Sequence, residues 1–262
     1  MAEPLYDNDF YARHGDRSVE SARIVAPLVM RLAAIKSVID VGCGVGGWLR
    51  SFSENGVATI RGLDGNYVDR SKLYIPSECF SEIDLQQPLH FEGRYDLAVC
   101  LEVAEHLDPR AGAELVRALT GFAPLILFSA AVPGQGGIGH VNEQWPAYWR
   151  GLFDQHRFKM LDIIRPLIRE ERRVEWWYRQ NIVMFASEEA MAANPALHEA
   201  SNDSRGLEWI HIDMLSPPHA GVRNLLVYLR PLLKQAVCKW LPGKTTEKSS
   251  CEVGSASSVV HR

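Results

Sequence analysis

From about residue 18 to residue 187, short apolar runs alternate with stretches whose apolar residues recur every three or four positions. The first such stretch, 18–35, puts Val25, Leu28, Val29 and Leu32 on one face and predicts a helix. SVIDV (37–41) then reads as a buried strand running into GCGVGG, and WLRSFSENG predicts a helix stopped by Gly56. Further strands are predicted over 58–64, 79–84, 95–100 and 124–130, and helices over about 110–121 and 143–156. Two late strands are expected at 158–165 and 181–187. Strand–helix alternation at this spacing predicts an α/β fold, a Rossmann-like doubly wound and mostly parallel sheet with helices on both faces. No clear helix separates the last two strands, which allows an antiparallel hairpin at one edge. Ligands of such sheets sit at the carboxyl ends of the strands.

The pattern weakens after about residue 188, where 188–221 reads as turns and short helices. Residues 222–241 are amphipathic. Leu225, Leu229, Leu232, Leu233, Val237 and Trp240 recur at helical steps, Arg223, Arg230, Lys234 and Lys239 lie off that stripe, and Pro231 starts a second segment. The Ser-, Thr- and Lys-rich end is expected to be disordered. The expected organisation is an N-terminal helical cap over the cofactor site (1–36), a core domain (37–187), a C-terminal helical extension (188–241) and a tail (242–262).

Composition adds limits. With 262 residues, 47% hydrophobic and 23% charged, the chain is long enough to bury a core without disulfides or metals. Residues 223–262 hold seven Lys/Arg against two Asp/Glu, a balance of +5, and leave −9 on residues 1–222. An acidic body argues against nucleic acid as a partner. The basic amphipathic segment 222–241 suits either a helix packed on protein or one lying on an anionic membrane surface. Cys43, Cys79, Cys100, Cys238 and Cys251 form no C-x-x-C pair, which suggests reduced thiols. MAEPLYDNDF does not read as a signal peptide, and Ile24–Ile35 is too short to span a bilayer. The expectation is a cytoplasmic protein, with a peripheral contact to the inner face of the membrane open to it.

The chemistry centres on Asp40-Val-Gly42-Cys43-Gly44-Val-Gly46-Gly47, between a strand and a helix. Glycines permit a tight turn and close backbone approach to a ligand, and the helix start offers unpaired N–H groups. Gly42, Gly44 and Gly47 with Asp64 fit a dinucleotide fingerprint, which would make the protein an NAD(P)-dependent oxidoreductase. The same loop fits S-adenosylmethionine (SAM). Asp40 at the strand end would repel a pyrophosphate but suits a ligand carrying an ammonium and a sulfonium. Asp64 and Asp84 follow the next two strands, placed to accept from ribose hydroxyls and to face the adenine amino group, with Leu85 beside the latter. SAM is the favoured reading.

The residues then carry a resemblance. VIDVGCGVGGWL, RGLDG, EIDLQQPL, YDLAVCLEVAEHL and NIVMFAS resemble a class I SAM-dependent methyltransferase over 37–187. RSVESARIVAPLV, FSAAVPGQGGIGHVNEQWPAYW and EWWYRQN are similar to a family of bacterial methyltransferase-domain proteins whose substrate is poorly defined. The resemblance implies a seven-stranded sheet with the last strand antiparallel, and SAM as methyl donor. A SAM-fold pseudoenzyme acting as a binding protein is the alternative from another class.

Beyond strand four, LEVAEHL supplies Glu102, Glu105 and His106. These residues either orient the cofactor loop and cap the next helix, or hold a divalent cation. The second reading resembles the Mg-binding run of ubiquinone-pathway O-methyltransferases and small-RNA 2′-O-methyltransferases, with His140 as a further ligand. PGQGGIGHVNEQWP (133–146) is expected to be a mobile lid. His140, its one group titrating near neutral pH, is the candidate general base. Glu143, Gln144, Trp145 and Trp149 are expected to line the acceptor pocket, with Trp176, Trp177 and Tyr178 stacking on a ring or sugar. The expected activity is methyl transfer to a small-molecule, sugar, glycan or lipid-linked acceptor, on oxygen.

Overall fold

The computed structural model describes residues 8–89, 91–200 and 210–211. The amphipathic segment 222–241, the tail, Cys238 and Cys251 lie outside the described residues.

Helix α1 (Asn8–Met30) leads into β1 (Ser37–Val41), α2 (Gly47–Glu54), β2 (Thr59–Asp64), β3 (Phe80–Glu82) and β4 (Leu97–Leu101). Then come α3 (Pro109–Phe122), β5 (Leu125–Ser129), α4 (Pro146–Asp154) and β6 (Phe158–Leu161). Two short helices, α5 (Arg165–Ile168) and α6 (Trp176–Asn181), precede β7 (Val183–Ser187), and α7 (Glu188–Ala193) and α8 (Pro195–Ala200) follow it. The seven strands form one sheet in the order β3-β2-β1-β4-β5-β7-β6. β7 pairs antiparallel with both β5 and β6, and the other pairings are parallel.

The doubly wound architecture and the antiparallel last strand follow the sequence pattern. The final pair differs in one respect: α5 and α6 lie between β6 and β7 in the chain, while β7 sits between β5 and β6 and leaves β6 at the edge. Both helices are too short to show an apolar period, as each spans less than two turns.

Strand residues alternate between the two layers. Leu97, Val99 and Leu101 of β4 face one core with α1, α2, α5 and α6, whereas Ala98 and Cys100 face the other with α3 and α4. This near-continuous apolarity is what a sheet covered on both faces requires. Helix α3 starts at Pro109 after Asp108, whose side chain accepts from Arg110 and Ala111 N–H. Trp149 and Phe153 of α4 pack against Phe128, so Trp149 belongs to the core.

Three helices meet at Tyr178. Its hydroxyl lies 3.2 Å from Ser18 Oγ of α1 and accepts from Trp48 Nε1 of α2 at 3.4 Å. Burial raises its pKa to about 12, so it stays a neutral phenol.

Candidate active site

A cavity of about 960 Å³ opens at the carboxyl ends of β1, β2 and β4. Gly42, Gly44, Asp64, Asp84, Leu85, Glu102, Glu105, His106 and His140 all line it, as do Ser18, Tyr67, Trp176, Trp177 and Tyr178. Among the described residues, Asp64, Glu82, Asp84, Glu102 and Glu105 give this lining five carboxyl groups, and none of its members is a Lys or Arg. Asp40, Cys43 and Gly46 lie behind this surface; Asp40 and Cys43 are buried.

At the glycine loop, Gly42 has φ 80°, and a Cβ there would stand 2.3 Å from Val103 Cγ2. Only glycine fits both constraints. Asp64 holds the loop from the neighbouring strand: its carboxylate accepts from Gly44 N at 2.6 Å, Gly65 N at 2.7 Å and the Tyr67 hydroxyl. The residue expected to meet the ribose thus also organises the loop that would receive it. Asp84 lies in the turn after β3, where it accepts from Gln86 N at 2.9 Å.

Asp40 is 2% exposed, and its Oδ2 has no hydrogen-bond partner among the described residues. Burial, then the nearby Asp64 carboxylate, pushes its pKa well above the usual carboxylate range. Burial also raises Asp64, against its three hydrogen bonds. Two repelling carboxyl groups, one with an orphaned oxygen, fit a ligand that brings positive charge. A dinucleotide would add a pyrophosphate to the same acidic ground.

The second cluster follows β4. Glu102 adopts φ 55°, a left-handed conformation costly for a side chain larger than glycine. Its oxygens accept from Asn181 Nδ2 at 3.0 Å and Gln135 Nε2 at 2.9 Å, and its N–H donates to Ser129. Asn181 also donates to Gln135 Oε1, closing a three-residue network. Glu105 is fully buried; its Oε1 accepts from Ala131 N at 3.2 Å, and its Oε2 has no partner among the described residues. Burial and then Glu102 drive the Glu105 pKa well up, and burial raises Glu102. Such a pair favours sharing a proton or meeting a cation.

Glu105, His106 and His140 each offer one ligand atom, all within 4.8 Å of one another. The rings of His106 and His140 meet edge to face at 4.8 Å. Burial, then His140, lowers the His106 pKa to about 4, so this imidazole is neutral at physiological pH. One of the two sequence readings grouped Glu102, Glu105 and His106 around an ion, with His140 as a further ligand. The structure brings Glu105, His106 and His140 together, while Glu102 is taken up by two amides.

The 133–146 loop is clasped in place. Val141 and Asn142 N–H donate to the Glu105 carbonyl, Gln144 N–H donates to Ala131, and the Glu143 carboxylate accepts from Gly134 and Gly136 N–H at 2.7 Å each. Glu143, Gln144, Trp145 and Trp149 do not line the cavity. Glu143 serves the loop's own backbone, and Gln144 bonds to Asn142. Gln135 and Asn181 were missed by the sequence reading, because nothing local marks an amide that reaches Glu102 from 33 or 79 residues away.

Comparison with known proteins decides the family. Residues 11–162, more than half of the chain, match the model of a family described as a methyltransferase domain. The chain belongs to this methyltransferase-domain family, of the class I, SAM-dependent kind. The dinucleotide reading falls with that assignment. The ubiquinone biosynthesis O-methyltransferase of an Escherichia coli O127:H6 strain is 35% identical over 94 residues, covering 31% of this chain and 39% of that one. The methyltransferase chain thus spans well under half the length of this curated relative. An O-methyltransferase family protein from Burkholderia thailandensis has a similar fold, with TM-score 0.50, 16% identity and coverage of 69% of this chain and 58% of that one. A SAM-bound amino pentose methyltransferase from Micromonospora echinaspora gives TM-score 0.50, 14% identity and coverage of 71% and 99%. At these identities the structural likeness speaks for the fold, and SAM is the cofactor of this methyltransferase class.

Proposed function

We propose that the protein transfers a methyl group from SAM to oxygen on a neutral or cationic acceptor: a small molecule, a sugar or the sugar of a lipid-linked glycan. The observation that carries this reading is that, among the described residues, the cavity lining has five carboxyl groups and no Lys or Arg. That surface attracts a cationic cofactor and disfavours phosphate or nucleic acid at the reacting end. Gly42, Gly44 and the Asp64 carboxylate would hold the cofactor, with Asp40 as buried countercharge and Asp84 and Leu85 at the base. Bound there, SAM supplies a methyl already activated by its sulfonium.

The chain's own residues then supply placement and proton handling. Trp176 and Trp177, whose rings meet edge to face at 82°, give the acceptor an aromatic corner, and Ser18 of α1 lies at the rim. Holding an acceptor in line with the methyl is the main source of rate. His140 accepts the hydroxyl proton as general base. The O-methyltransferase named above supports oxygen as the receiving atom.

A second reading of the same cluster rests on the converging Glu105, His106 and His140. A carboxylate and two imidazoles suit a divalent transition metal, which would lower the pKa of a bound hydroxyl. The orphaned Glu105 Oε2 fits such an ion.

No helix among the described residues is long and apolar enough to cross a membrane. The amphipathic, basic 222–241 segment would place a cytoplasmic enzyme against the inner membrane face, near a lipid-linked acceptor.

The test is release of S-adenosylhomocysteine from SAM with sugar, amino sugar and phenol acceptors, with and without EDTA. Turnover with a neutral or amino acceptor supports the reading. SAM binding without turnover across that panel favours the pseudoenzyme, and loss of activity in EDTA favours the ion.

A further inference from the structure

The loop after β5 contains a device that acts on His140, and the inference from it rests on the reading of His140 as the working imidazole. Glu143 sits three residues on, and its carboxylate collects three donors: Gly134 N, Gly136 N and His140 Nδ1, the last at 2.9 Å. Both Glu143 oxygens already accept a backbone N–H, Oε2 from Gly134 and Oε1 from Gly136, so the carboxylate is an acceptor on each side and the shared proton belongs to Nδ1 of His140. In a neutral imidazole the lone pair is then on Nε2.

The ring is also packed into one place. A Cβ at residue 137 would stand 2.2 Å from His140 Nε2 and 2.5 Å from Cε1, so the imidazole lies against bare backbone at Gly137. On another side it meets the His106 ring edge to face at 4.8 Å. Glu143 itself does not line the cavity, whereas Gly136, Gly137 and His140 do. One carboxylate behind the site therefore ties together the fold of the loop and the state of the imidazole in front of it.

We propose that Glu143 is the positioning residue of this site: it fixes the Nδ1–H tautomer and the orientation of His140, so that Nε2 is the nitrogen presented to the cavity, with Gly137 leaving the space the ring occupies. Nε2 is the nitrogen needed whether the site removes a proton or binds a cation, since either task takes a lone pair facing the cavity. The device resembles in logic the carboxylates that orient imidazoles behind metal and catalytic sites.

The test is nitrogen NMR of the 15N-labelled full chain, at a pH where imidazole is neutral, with the His140 ring assigned by its loss in His140→Ala. The wild type should show Nδ1–H as the major tautomer of His140. Glu143→Ala should reverse the ratio, with Nε2–H as the major form. Glu143→Gln, whose amide oxygen still accepts from Nδ1–H, should restore the wild-type tautomer at least in part. Gly137→Ala should displace the ring, seen as loss of its contacts to His106, with Glu143 intact. SAM affinity, measured by calorimetry, should be unchanged in all of these and reports that they are folded. A wild-type His140 carrying its proton on Nε2, or Glu143→Ala with the tautomer unchanged, overturns the proposal. Full activity of His140→Ala would instead remove His140 from the chemistry, and the tautomer measurement judges Glu143 independently of it.

Discussion

Replacing Asp40 with asparagine should stabilise the ligand-free protein and weaken its hold on SAM. Asp40 is 2% exposed, lacks a hydrogen-bond partner at Oδ2 among the described residues and feels the charge of the Asp64 carboxylate. A buried, unsatisfied acceptor costs about 1–3 kcal/mol, and more when charged. Asparagine keeps the shape and removes the charge, but brings an amide that needs its own partner. The net gain should then be about 1–2 kcal/mol. For a domain of this size that raises Tm by roughly 2–8 °C. The pH dependence has a defined sign. The folded-state pKa of Asp40 is raised, so its contribution to stability is complete below the unfolded value of about 4. It is lost as pH climbs through the folded value. The Tm gap between variant and wild type should thus be small near pH 4 and widen toward pH 8. The same change removes a countercharge for a cationic ligand. If that is worth about 1.5–3 kcal/mol, SAM affinity falls roughly 10- to 150-fold. Scanning calorimetry of the ligand-free protein across pH, with SAM titrations at pH 8, reads both effects. A variant less stable than wild type at pH 8, by a margin that grows with pH, would refute the electrostatic account of Asp40. Unchanged SAM affinity would refute its role as countercharge.

Other expectations follow from the same geometry. Asp64→Ala should weaken SAM binding by about 1.5–3 kcal/mol in calorimetry, since the carboxylate proposed to meet the ligand also holds Gly44 N. Gly42→Ala should lower Tm and abolish SAM binding, because the new Cβ strikes Val103 at φ 80°; a variant that melts and binds like wild type would count against the loop geometry. His140→Ala should reduce turnover by about 100-fold or more with SAM affinity intact, read by S-adenosylhomocysteine release. The full chain should sediment with anionic vesicles at low salt and a chain ending at Gly221 should not; a full chain left in the supernatant assigns residues 222–241 to a protein surface.

The sheet was legible in the sequence because covered parallel strands must be apolar at nearly every position. SVIDV and YDLAVC therefore stand out without alignment, and the glycine loop between strand and helix marks the site. Strand order is another matter: β7 slots between β5 and β6, and no local period reports which edge a strand joins. The acceptor side was read in part. His106 and His140 stood out as imidazoles in the segments that follow strands four and five, whereas the Glu102–Asn181–Gln135 network depends on contacts across distant segments. Trp149 shows the limit of composition. An aromatic next to a candidate loop reads as a pocket wall, yet helical phase turns it onto Phe128 in the core. Glu143 points back into its own loop because two glycine N–H groups there need an acceptor.

The central claim is that an acidic, glycine-floored cavity takes a cationic methyl donor, and calorimetric titration of the full chain with SAM, S-adenosylhomocysteine and NAD tests it most directly. Saturable one-to-one binding of SAM and S-adenosylhomocysteine, abolished by Gly42→Ala, with no heat from NAD, is the predicted result. Binding of NAD, or no binding of SAM, would contradict it.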